Sequence, residues 1–65
     1  MAKRANYIVN APLGRLNVRE SPSLDAPILS TLETGAKVKV NPNAETPDGW
    51  KAVDGGGFVM TEYLE

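Results

Sequence analysis

The sequence predicts an all-β fold, a small and partly open barrel of five to six short strands. Three observations carry this reading. Apolar and polar residues alternate over short segments and never recur at helical spacing for two capped turns. Five prolines and six glycines fall between those segments, where turns need them. A chain of 65 residues is too short to fill two separate sheets, whereas curling one sheet reduces its exposed edges. Residues 1–4 read as a flexible tail and residues 5–65 as a single domain.

The first strand is Tyr7 to Asn10, with Tyr7 and Val9 sharing a face by the period of two. Asn10 to Gly14 reads as a turn, and Leu16 to Arg19 as the second strand. In that strand Leu16 and Val18 point inward, and Asn17 and Arg19 outward. A polar loop from Glu20 to Pro27 holds two prolines that resist ladder pairing. Ile28 to Leu32 forms a third strand, and Ala36 to Val40 a fourth that turns its valines in and its lysines out. Thr46 to Gly49 fits a turn with proline at its second position. Trp50 to Val53 is the fifth strand, and Asp54 to Gly57 the hairpin leading to the sixth, Phe58 to Met60. Thr61 and Glu62 make one helical turn before the chain closes. The expected core is Tyr7, Val9, Leu16, Val18, Ile28, Leu32, Val38, Val40, Val53, Val59 and Leu64.

Composition removes much chemistry. With no cysteine and no histidine, the chain offers neither serine–histidine nor cysteine–histidine nucleophilic pairs, and no zinc site of the usual kind. A domain this small rarely builds a cleft deep enough to tune a carboxylate, so no enzyme, no metal and no cofactor is expected. The carboxylates lack the alternating spacing of a calcium loop and read as solvated turn residues. Gly55-Gly56-Gly57 precedes a strand, not a helix N-terminus, and so reads as a hairpin, not a phosphate cradle. Net charge is −1; residues 1–19 carry four bases and no acid, and residues 20–65 three bases and eight acids. Four dispersed basic residues are a solvated surface, so no nucleic-acid partner is expected. No segment is apolar enough to cross a membrane, and the residues after Met1-Ala2-Lys3-Arg4 form no signal-peptide core. The chain is therefore expected to stay inside the cell or to leave by another route, unless it is a piece cut from a larger secreted chain.

Four residues are candidates for ligand binding: Trp50, Arg19, Lys51 and Asn17. If Val53 faces the core, Trp50 lies on the opposite face, either as a lid over the barrel end or as an aromatic recognition surface. The same parity turns Lys51 inward, where it must snorkel at the rim or be redirected by a bulge. Asn17 and Arg19 point outward; each either contacts a ligand or holds the neighbouring loop, Asn17 by bonding its backbone and Arg19 by packing on an acid.

Leu16-Asn17-Val18-Arg19-Glu20-Ser21-Pro22-Ser23 resembles the opening signature of bacterial SH3-like (SH3b-type) domains. Further matches follow in order: the apolar segment Ile28 to Leu32, Gly35 with Val38 and Val40, Gly49-Trp50 with Val53, Gly57-Phe58-Val59, and Tyr63-Leu64. The resemblance spans roughly residues 5–65. It implies an SH3-like barrel that serves as a non-catalytic binding module, commonly for bacterial cell-wall peptide or glycan. The implied partner is a peptidoglycan stem peptide or another protein. The alternative is a stand-alone, phage-derived interaction or structural module with no wall ligand. The chain departs from the family pattern at Lys51, at Phe58 and at Glu20-Ser21, which leaves the groove poorer in aromatic residues.

Overall fold

The computed structural model describes residues 4–65. Of the expected tail, residues 1–3 lie outside the described residues. The architecture is the all-β one expected, with six short strands: β1 (Asn6–Ile8), β2 (Arg15–Arg19), β3 (Ile28–Glu33), β4 (Lys37–Lys39), β5 (Trp50–Ala52) and β6 (Phe58–Met60). A single 3-10 turn, Thr61–Tyr63, follows β6. The strands form a four-stranded antiparallel sheet in the order β3-β2-β6-β5 and a two-stranded β1-β4 ribbon. Isolated bridges between Val40 and Val53 and between Val9 and Leu64 join the two into a partly open barrel.

Burial follows the period of two. Leu16 and Val18 of β2, Val38 of β4 and Val59 of β6 face inward, joined by Val9 and Val40 beyond the strand ends. Tyr7, Leu32, Val53 and Leu64 pack against this cluster while half-buried. Two alanines that alternation does not mark, Ala11 and Ala26, are also buried. Each precedes a proline in a turn or loop. Small side chains fit there because the connections fold tightly onto the barrel.

One expected core residue is not in the core. Ile28 is 51% exposed. The reason is a register shift between Val18 and Arg19, after which Arg19 is aligned with Ile28 instead of Leu29. Leu29 is the extra residue of a bulge, and one extra residue reverses the facing of everything beyond it. Ile28 therefore lands on the outer face. The turn before β5 also differs by one residue: it runs from Pro47 to Trp50, closed by the Trp50 amide donating to Pro47 O at 3.2 Å, with Gly49 at φ +90°. A left-handed third position suits glycine, which sets the frame of the turn.

Two contacts of long sequence separation hold the connections. The Thr34 hydroxyl accepts from the Ala11 amide and donates to the Ala11 carbonyl, each at 2.9 Å. The second is steric. Gly57 has φ +92°, and a Cβ there would lie 2.3 Å from Val18 Cγ1. Val18 is buried and β-branched, so it has little room to yield. The β5–β6 hairpin can close onto β2 only because residue 57 has no side chain.

We expect Gly57→Ala to destabilise the fold by about 2 kcal/mol or more, combining overpacking with left-handed strain. Gly14→Ala, with φ +91° but open space around it, should cost only about 1 kcal/mol. Urea unfolding of both variants checks this; equal losses would remove the Val18 contact as the cause.

Candidate ligand-binding groove

Inward placement of Leu16 and Val18 forces Arg15, Asn17 and Arg19 onto the outer face of β2. On β6, fully buried Val59 sends Phe58 and Met60 to the same outer face. Cross-strand pairing aligns Arg19 with Phe58, Phe58 with Ala52, and Met60 with Trp50. The outer face of the sheet thus runs from basic and polar on β2 to apolar and aromatic on β6 and β5.

A groove of about 180 Å³ opens along β2. Arg15, Asn17 and Arg19 form its floor, and Met60 and Tyr63 line one wall. Leu13 and Leu24 come from loops and are 93% and 64% exposed, so the groove has an apolar rim open to solvent. Its volume lies below the roughly 300 Å³ lower bound of ordinary small-molecule pockets. It suits a short segment of an extended chain better than an enclosed metabolite.

The four sequence candidates divide. Asn17 and Arg19 lie in the groove. Arg19 is already engaged: its Nη1 donates to the carbonyls of Leu24 and Ala26, both at 3.0 Å. It therefore fastens the Glu20–Pro27 loop through backbone carbonyls, where packing on an acid was the structural expectation. Glu20 N donating to Pro27 O at 2.9 Å closes the base of the same loop. The Asn17 amide makes no hydrogen bond among the described residues, so its loop-bonding role is not observed and its donors and acceptor are free.

Trp50 and Lys51 do not line the groove. Trp50 is half-buried on the outer face beside Met60, one strand beyond the groove wall. Lys51 pairs with Val59 and so occupies the inner face, as parity required. It is half-buried, and its Nζ lies 5.6 Å from the centroid of the Tyr7 ring. No bulge redirects it; the side chain reaches along the rim to an aromatic face.

Sequence reasoning missed Arg15, Met60, Tyr63, Leu13 and Leu24. Arg15 shares its parity with Asn17 and Arg19, a signal that was present in the pattern. Tyr63 reaches the groove through the 3-10 turn, and the two leucines through irregular loops, none of which has a periodicity to read. Among the described residues there is no cluster of three metal-ligating side chains. Among the described residues no helix is long and apolar enough to cross a membrane.

Replacing Arg19 with Met should lower stability by about 1–2 kcal/mol through loss of two charge-assisted bonds. The Ala26 amide, which donates to Ser23 O at 3.1 Å, should then exchange faster with solvent. Arg19→Lys should fall between, since one ammonium can replace part of the fork. Hydrogen exchange followed by NMR reads both effects; unchanged protection in the Met variant would deny Arg19 its role in the loop.

A family model described as bacterial SH3 domain matches residues 14–65, four fifths of the chain. That span includes the β2 floor, the Arg19-fastened loop and the 3-10 turn that carries Tyr63. No curated protein and no solved structure matches the chain. The strand order, the bridges that close the barrel and the matched span agree, and the chain belongs to the bacterial SH3 domain family.

Proposed function

We propose that the chain is a non-catalytic binding module that recognises bacterial cell-wall peptide or glycan through the β2 groove. One observation carries this reading in a chain of this family. Asn17 presents an amide with no protein partner among the described residues, between two arginines and below an apolar rim. An amide can donate to and accept from the backbone of an extended peptide, as strand-like ligands require. Arg15 adds a guanidinium that attracts a carboxylate of a stem peptide. Leu13, Leu24 and Met60 offer contact area for small apolar side chains. In this reading Arg19 shapes the site by holding the loop, and Trp50 extends the surface beyond Met60. Lys51 lies apart from it.

A second reading has its own observation. Strand β3 is an edge of the four-stranded sheet, and Ile28 and Leu29 on it are 51% and 56% exposed. Such an edge can accept a strand from another protein. The bulge at Leu29 interrupts the edge and leaves only its Ser30–Glu33 part regular, which favours the groove.

Retention of the protein on purified peptidoglycan at low salt is the first test, and no retention would sink the wall-binding reading. Peptidoglycan fragments should shift NMR signals of Arg15, Asn17 and Tyr63, not those of β3. Asn17→Ala and Arg15→Gln should each weaken fragment binding about tenfold, the worth of one hydrogen bond to a charged or buried partner. Both should leave unfolding free energy within about 0.5 kcal/mol of the parent, as surface substitutions do.

A further inference from the structure

Lys51 and Arg4 converge on one aromatic ring outside the groove. Arg4 Cζ lies 4.3 Å from the Tyr7 ring centroid, and Lys51 Nζ lies 5.6 Å from it. The two charges are therefore no farther apart than about one Debye length at 0.1 M salt, roughly 10 Å. Each is held in place by the fold. Arg4 Nε donates to the Asn6 carbonyl at 2.9 Å, which orients the guanidinium, and its two terminal nitrogens make no hydrogen bond among the described residues. Lys51 is directed there by its pairing with fully buried Val59. The surrounding backbone is a seam of three strands. Val40 N donates to Ala5 O and Asn41 N to Ala52 O, both at 2.8 Å, which brings β1, β4 and β5 together.

Neither cation has a carboxylate within 4.0 Å among the described residues; the ion pair there is Lys39 with Asp54, at 4.0 Å and largely exposed. Ring and cation attract each other, by about 0.5–1 kcal/mol at exposed sites. The ring does not cancel the mutual repulsion of the two cations, and among the described residues the Lys51 ammonium and the terminal nitrogens of Arg4 have no hydrogen-bond acceptor. An anion at this seam would do both. A guanidinium fork and an ammonium gathered at one ring offer the donors that a phosphate group takes: the fork suits two of its oxygens, and the ammonium supplies a third donor and a point charge.

We propose that Arg4, Tyr7 and Lys51 form a phosphate-binding site, separate from the β2 groove and independent of what the groove binds. Arg4 and Lys51 contact the phosphate oxygens, and Tyr7 positions both cations through its ring. The same chemistry is offered by a free or terminal phosphate and by the phosphodiester of a polymer.

The test is NMR titration of the full chain with inorganic phosphate, at ionic strength held constant with chloride. The Tyr7 ring and the Arg4 and Lys51 side-chain signals should move and saturate, while Asn17 and Tyr63 stay still. Arg4→Gln and Lys51→Gln should each weaken binding at least about tenfold, the worth of a charge-assisted bond. Arg15→Gln should not change it. Tyr7→Phe, which keeps the ring, should also leave it unchanged. If Lys51→Gln fails to fold, Arg4→Gln, outside every strand, still decides the question. Saturation with dimethyl phosphate as well would assign a phosphodiester; saturation with inorganic or methyl phosphate alone would assign a terminal phosphate. Linear shifts that never saturate, equal affinity in Arg4→Gln, or acetate binding as well as phosphate would overturn the proposal.

Discussion

The contact between Gly57 and Val18 is the constraint on which the sheet depends. Strand β6 lies between β2 and β5, and its hairpin reaches β2 only because residue 57 carries no side chain. Once seated, Val59 is sealed from solvent and fixes the facing of every residue paired with its strand. Arg19 is then aligned with Phe58, Trp50 with Met60, and Lys51 with Val59 itself. The basic floor of the groove, the aromatic surface beside it and the inward lysine are three consequences of one close approach.

A barrel whose buried core is mostly valine and alanine gains little from each buried side chain. Its connections are accordingly fastened by polar groups at long sequence separation. Thr34 clamps Ala11 from 23 residues away, and Arg19 bridges two carbonyls of the loop that follows it. Both devices satisfy backbone groups that turns leave without ladder partners. They also shape the groove. Thr34 holds the turn that carries Leu13, and Arg19 holds the loop that carries Leu24, so hydrogen bonds position the two apolar rims together with buried Ala11 and Ala26.

Most of the strand plan is readable by parity. Leu16, Val18, Val38 and Val59 alternate with polar or outward neighbours and are buried as that alternation requires. Lys51 facing inward follows from the same rule, and its rim position resolves the cost of burying an ammonium. Parity fails at Ile28 because a bulge adds a residue, and nothing local to Ile28 and Leu29 announces it. Ala11 and Ala26 escape notice because a small side chain gives no amphipathic signal. In the groove, Asn17 is legible as an outward polar residue. Arg19 is legible as outward, but its two acceptors belong to a loop whose path depends on tertiary packing.

What the sequence by itself determined is the class of fold, a strand count of five to six, the family and the facing of each regular strand. These rest on local rules: alternation, turn residues at fixed offsets and short motifs in a set order. What only the tertiary structure decided is which outward residues meet. Trp50 and Lys51 are adjacent in sequence yet lie on opposite faces, one beside the groove and the other against Tyr7. Tyr63 is far in sequence from Arg15 and Asn17 of β2, yet all three line one groove. Side-chain facing is set by the chain's own period, whereas proximity is set by register and closure, which depend on contacts such as Gly57 with Val18 that join distant segments.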